Sequence, residues 1–210
     1  MKALVLAEKP SVGQELSRVL GCTAKARGYS EGPGHVVSWA MGHLVELAEP
    51  HAYDEKYRHW SLDSLPMLPP EMRHRVIPRS SQQFRTIKGL FQRKDIGELI
   101  IATDAGREGE LVARWILYKC GWKKKVRRLW ISSQTDEAIR DGFKNLRPGE
   151  EYWNLFQAAA CRASPAFLGP SPTKTMQARV PRRPAHHSAA EQPSSNPPPA
   201  ALRTSAGTRS

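Results

Sequence analysis

The sequence has no CxxC pair. Its three cysteines, Cys22, Cys120 and Cys161, are odd in number and far apart, which argues against a zinc ribbon or a disulfide framework and suits a reduced, cytoplasmic compartment. No apolar run approaches the roughly 18–20 residues that a membrane span requires. The apolar start KALVLA is interrupted by Glu8 and Lys9 too early for a secretory signal. GxxxxGK[ST] is missing and no GxGxxG follows a strand-like run, so neither a P-loop nor a dinucleotide fingerprint is present. Acid is the scarce charge: 20 Asp and Glu stand against 32 Lys and Arg, for a net charge of +12. A surplus of that sign points to a polyanionic partner, nucleic acid ahead of a membrane surface, with a solvated basic face as the plainer alternative.

What is there reads as alternating strands and helices. KALVLA (2–7) suits a buried strand, and after Pro10 the residues Val12, Leu16, Val19 and Leu20 share one helical face, with Ser11 as cap and Gly21 as stop. His35–Leu47 alternates well enough for one or two strands. The stretch 49–78, rich in Pro, His and Arg, is expected to be a long ordered excursion. Phe84, Ile87, Leu90 and Phe91 recur at helical spacing within 82–93. ELIIAT (98–103) is the next strand, followed by a helix from about 108 to 119 that Gly121 stops. VRRLWIS (126–132) predicts another strand, and Thr135 caps a helix to about Leu146 with Ala138, Ile139 and Phe143 inward. Such alternation predicts an α/β fold with a mostly parallel sheet flanked by helices. Residues 147–163 predict one more helix, with Trp153, Leu155 and Phe156 left exposed.

From Ser164 onward the composition changes. Nine of the 17 prolines fall there, with one acid (Glu191), one aromatic among Phe, Trp and Tyr (Phe167) and no isoleucine. Ordering a chain costs ~1–2 kcal/mol of backbone entropy per residue, which so little apolar surface cannot offset. The segment 164–210 is therefore expected to be a disordered, Pro-rich, basic tail.

The scarce acids cluster where parallel sheets gather ligands, at strand carboxyl ends. Glu8 follows the first strand and Asp104 follows ELIIAT, so neighbouring strands would bring the two together. Glu108, one helical turn on, could face the same place. Clustered carboxylate oxygens suit Mg2+, which takes one or two of them, keeps several waters and binds phosphate oxygens. Acids at a helix N-terminus are equally ordinary as partners of the helix dipole. Gly106 and Gly109 allow a tight turn there, and Lys9 sets a cation beside Glu8.

AEKPS (7–11), GHL (42–44), ELIIATD followed by AGREGE (98–110) and RLWISS (128–133) together resemble the Toprim domain of type IA DNA topoisomerases, of the bacterial topoisomerase III group. AYDEKYRHWSLDSLP (52–66) is similar to that family's long insertion. The resemblance covers about 1–163. It implies a Toprim domain over 1–134 with an insertion at about 49–78, then the helical start of a following domain at 135–163. Glu8 and Asp104 would be Mg2+ ligands, and Glu8 also a proton shuttle at the cleaved strand. Lys9 and Arg107 would lie at the scissile phosphate, Glu108 would be the trailing acid, and Trp60 would contact single-stranded DNA or else pack the insertion. His43 of GHL could face the site, although a histidine satisfied in the core is the preferred reading.

The chain departs from that family twice. Its Asp-x-Asp signature reads Asp104-Ala105-Gly106, one carboxylate fewer, which leaves the metal to Glu8 and Asp104. After Arg162-Ala163 the family continues with an Ala-Asp-Trp-like helix, whereas this chain reads SPAFLGPSPTKTMQARVPRRP, as a shifted reading frame would. The family's chemistry needs a tyrosine nucleophile, and none of Tyr29, Tyr53, Tyr57, Tyr118 and Tyr152 has the matching context. The expectation is a topoisomerase portion that does not complete strand passage alone. The alternative is a stand-alone Toprim protein that binds DNA, or nicks it with a metal-activated water in place of the tyrosine.

Overall fold

Lys2–Ala7 (β1) is apolar throughout because both of its faces are covered. Leu4 and Leu6 point into one core, and Ala3, Val5 and Ala7 into the other, the period-two division of a strand buried on both sides. In the computed structural model, which describes residues 1–59, 67, 69 and 71–163, β1 is the middle strand of seven. Trp60 and the 164–210 segment lie outside the described residues.

The chain leaves β1 into α1 (Pro10–Val19), makes the short strands β2 (Ala24–Ala26) and β3 (Tyr29–Glu31), and returns as β4 (His35–Trp39). β5 (Val45–Leu47) and β6 (His74–Val76) form a separate antiparallel pair. Then follow α2 (Ser81–Gln92), β7 (Ile96–Ala102), α3 (Arg107–Cys120), β8 (Lys125–Arg128), α4 (Asp136–Lys144), β9 (Arg147–Pro148) and α5 (Trp153–Arg162). The main sheet runs β2-β3-β4-β1-β7-β8-β9. β4, β1, β7 and β8 are parallel, and antiparallel pairings add β3 and β2 on one side and β9 on the other. The expected mostly parallel α/β sheet is what forms.

Two cores result. On one face Leu4, Leu6, Val36, Leu99 and Ile101 meet α2, α3 and α5 through Ile87, Ile116 and Phe156. On the other, Val5, Val37 and Ile100 meet α1 and α4 through Leu16 and Ile139. Each such side chain contributes about 1.5–3 kcal/mol by leaving water.

Several sequence expectations change. Ser11 is not the cap of α1. Lys9 occupies that position with Pro10 at the first helical place, where the missing N–H costs nothing. The strand expected over 126–132 spans Lys125–Arg128 instead, and the Leu129 amide makes one further bond to β7 at the Ile101 carbonyl. The excursion 49–78 contains β6, too short to show a period.

The largest change is at 147–163. Instead of an exposed apolar face, α5 packs on α3, with Phe156 only 1% exposed and Trp153 against the same core. β9 also joins the main sheet through Arg127 and Arg128, so the folded body continues past residue 134. Thr135 does cap α4, accepting a hydrogen bond from the Ala138 amide at 3.3 Å. Thr135→Ala should therefore cost about 1 kcal/mol, read as a lower urea midpoint with an unchanged denaturant slope.

Candidate metal and phosphate site

Because β1 and β7 are adjacent and parallel, with Ala7 opposite Ala102, their carboxyl ends deliver Glu8 and Asp104 to one point. The Asp104 amide donates to Glu8 Oε2 at 3.1 Å. Lys9 Nζ donates to Asp104 Oδ2 at 3.1 Å. Both partners of that pair are about half exposed, so its own contribution to stability is small. The hydrogen bond to Asp104, then the charges of Asp104 and Glu8, raise the Lys9 pKa above the ordinary lysine value.

Both helices that start here begin without a side-chain cap: α1 after Lys9 and α3 after Gly106. Uncapped first turns leave amides and the positive end of the helix dipole free for anionic oxygen. Arg107 and Glu108, on the first turn of α3, are both exposed. A cleft of about 430 Å³ opens beside Lys9 and Asp104, floored by Leu16, Leu129 and Ile139 and edged by Ser132 and Ser133.

The turn between β7 and α3 is tightly built. Thr103 Oγ1 donates to the Gly109 carbonyl at 2.8 Å. A Cβ on Gly109 would sit 2.2 Å from the Asp104 carbonyl oxygen, so only glycine lets α3 approach the turn this closely. Under the turn lies Arg128, fully buried, whose Nη1 donates to the carbonyls of Ile101, Thr103 and Leu129 and whose Nη2 donates to that of Asp104 at 2.8 Å. Glu110, also fully buried, places Oε2 3.1 Å from Arg128 Nε and accepts from Arg114 Nε at 2.7 Å. The Arg128–Glu110 approach is a charge contact without the alignment of a hydrogen bond. Burial pushes the Arg128 pKa down, and the Glu110 charge opposes that.

The sequence-selected residues thus divide. Glu8, Lys9 and Asp104 come together; Arg107 and Glu108 stand at the exposed start of α3. Among the described residues no group of three or more His, Cys, Asp or Glu side chains is placed to hold a metal, so Glu108 does not complete a cluster with the other two. His43 is exposed, its ring centroid 6.1 Å from that of Trp115, and is not the buried core histidine expected. Trp60 is outside the described residues. Sequence reasoning passed over Arg128 and gave Glu110 no role. The signals were a pair of arginines inside an apolar strand, and Glu110 four residues before Arg114 on α3.

Two carboxylates with hard oxygen donors, one of them already drawing in an ammonium, fit a divalent ion that completes its shell with water. They do not make a closed protein cage.

A family model described as "Toprim domain" matches residues 3–134. DNA topoisomerase 3 of Bacillus cereus is 50% identical over 179 residues, 85% of this chain and 25% of that protein. DNA topoisomerase 3 of Shouchella clausii is 56% identical over 162 residues, 77% and 22% of the two chains. The B. cereus match covers too much of the chain to end at residue 163, so it runs past the point where the likeness was expected to stop. Full-length topoisomerase I from Thermotoga maritima superposes with a TM-score of 0.53 at 23% identity, covering 76% of this chain and 23% of that one, a likeness of fold. The chain spans about a quarter of the length of the curated relatives it matches. With the strand-end carboxylates and the family match over most of the folded residues, this chain belongs to the Toprim domain family.

Proposed function

We propose that this chain is the Toprim portion of a type IA DNA topoisomerase of the topoisomerase III kind, acting on single-stranded DNA in the cytoplasm with Mg2+. The observation that carries this reading is the convergence of Glu8, Lys9 and Asp104 at the ends of two adjacent parallel strands. Glu8 and Asp104 would hold the ion, and Mg2+ when bound supplies positive charge to phosphate oxygens. Lys9 exchanges Asp104 for a phosphate oxygen, keeping an ion pair throughout. Arg107, exposed beside the uncapped start of α3, adds a second cation on the DNA side. As the family resemblance implies, Glu8 would relay the proton lost by the attacking tyrosine hydroxyl to the departing 3′ oxygen, and back again on rejoining. The nucleophilic tyrosine is not assigned to any residue of this chain.

Two measurements test this. Mn2+ titrated into the 210-residue polypeptide should bind, with at least tenfold weaker affinity in Asp104→Ala. Supercoiled DNA incubated with the polypeptide and Mg2+ should remain unrelaxed and uncut. Cutting that disappears in Asp104→Ala would instead favour the stand-alone nicking protein, and equal Mn2+ binding by both proteins would refute the metal assignment.

A further inference from the structure

Asp104 sits on a turn whose first turn of helix has no side-chain cap, and its own carboxylate is half exposed. What holds the turn in place comes from below. The Arg128 guanidinium reaches four backbone carbonyls at once, at 3.1 Å (Ile101), 2.8 Å (Thr103), 2.8 Å (Leu129) and 2.8 Å (Asp104). Three of these belong to the end of β7 and the turn itself. The fork is held from the other side by Glu110 on α3 and by the rings of Trp130 and Tyr152, 5.0 Å and 5.9 Å away. Those rings stack on each other at 4.8 Å. Arg114 continues the network from Glu110 to the Gly149 carbonyl and to the face of Trp153.

We propose that Arg128 is the positioning residue of this site: it fixes the turn that carries Asp104, and so holds the Asp104 amide on Glu8 and its carboxylate beside Lys9. The geometry explains why an arginine is buried where an apolar residue would pack at lower cost. Nη1 serves the carbonyls of Ile101, Thr103 and Leu129 while Nη2 serves that of Asp104; a lysine ammonium, a single nitrogen, could meet the first group but not reach the Asp104 carbonyl as well. Turning the carbonyls of Thr103 and Asp104 inward also removes them from the surface, leaving carboxylates as the oxygen that faces an incoming ion. Tyr152, beside the Arg128 guanidinium, and Gly149 and Trp153, which meet Arg114, lie beyond the 3–134 family match, so the segment after it joins the network under the turn.

The proposal rests on the metal reading of Asp104 only for the second of its two measurements. The first is backbone amide relaxation of the full chain. In a folded Arg128→Lys variant, order parameters at Asp104, Ala105 and Gly106 should fall from about 0.85 to below about 0.6, while Val5 and Val37 in the central strands keep theirs. The second is Mn2+ affinity, expected to weaken at least tenfold. Glu110→Gln, which keeps the side-chain volume, is measured in the same way if Arg128→Lys does not fold.

An unchanged turn in a folded variant overturns the proposal. So does a loss of order that extends equally to Val5 and Val37, or the failure of both variants to fold, since Arg128 would then serve overall stability alone. A loosened turn with unaltered Mn2+ affinity, where Asp104→Ala still abolishes binding, overturns the link to the carboxylate. Should wild type and Asp104→Ala bind Mn2+ alike, the metal reading fails, and the order parameters alone decide whether Arg128 fixes the turn.

Discussion

Replacing Glu110 by alanine should destabilise the fold by about 3–5 kcal/mol, the usual cost of stripping one partner from a buried ion pair. Glu110 and Arg128 are both wholly buried, and Arg114 is nearly so. Without the carboxylate, two guanidinium groups face each other's charge in a region that water does not reach. Domains of this size are stable by about 5–15 kcal/mol in total, so the variant would lose a large part of that margin. Urea denaturation would show a much lower midpoint with little change in slope. Glu110→Gln should lie between wild type and alanine, because an amide still offers an acceptor oxygen. A loss below about 1 kcal/mol for the alanine variant would mean that the four carbonyls around Arg128 satisfy its charge unaided, and that Glu110 contributes only packing.

Lowering the pH from 6.5 to about 4 should remove up to about 3 kcal/mol of stability through His74 alone. Burial is the main cause that lowers its pKa from 6.5 to about 4, with the nearby Lys119 charge adding to it and Glu71 opposing it. The imidazole lies among Trp115 and Tyr118, with ring centroids at 5.3 Å and 5.1 Å, and its backbone carbonyl accepts from Lys119 Nζ. Its Nδ1 is buried without a partner. A histidine whose folded pKa lies below its unfolded value favours the fold fully above pH 6.5. That contribution is lost as the unfolded chain takes up a proton the folded one refuses, until the folded group also titrates near pH 4. Each pKa unit corresponds to about 1.36 kcal/mol.

The carboxylates act in a lower window. Glu31, held to about 2 by Arg93 and then Lys2, contributes stability above its unfolded value of 4.5 that is lost as pH falls towards 2. Urea midpoints taken at half-unit steps would separate the two ranges. His74→Phe keeps a ring and should flatten only the upper one; an unchanged profile between pH 6.5 and 4 in that variant would show that other groups carry the slope.

The sequence was legible where burial imposes a period. β1 and β7 are apolar runs because both faces are covered, and α2 and α3 show their inward stripes. Gly121, at φ 70° after α3, is a stop that needs no side chain. β2, β3, β6 and β9 were not legible, since strands of two or three residues carry no alternation and depend on a neighbour already in place. At the site, Glu8, Lys9 and Asp104 could be read because strand ends gather ligands. Glu110 could not be told from Glu108 by composition: they stand two residues apart on one helix, one fully buried and one exposed. That difference belongs to Arg128, which is eighteen positions further along. The exposed face expected for α5 was wrong because Phe156 finds its partners on α3, a contact that no local pattern encodes.

The pairing of β1 with β7 joins residues far apart in the chain: 96 positions separate Glu8 from Asp104. Contacts at such range slow folding, because the intervening chain must be closed before the contact repays it. Until that closure occurs the two carboxylates belong to different ends of a loose coil, so Glu8 and Asp104 come together late rather than early in folding. The same topology is lenient about what the loop contains. Closure entropy grows only logarithmically, at about 0.6 kcal/mol for each doubling of length. The excursion between β5 and β6 can therefore lengthen or shrink between homologues while the geometry at the strand ends stays the same. Length can vary there without moving Glu8 or Asp104.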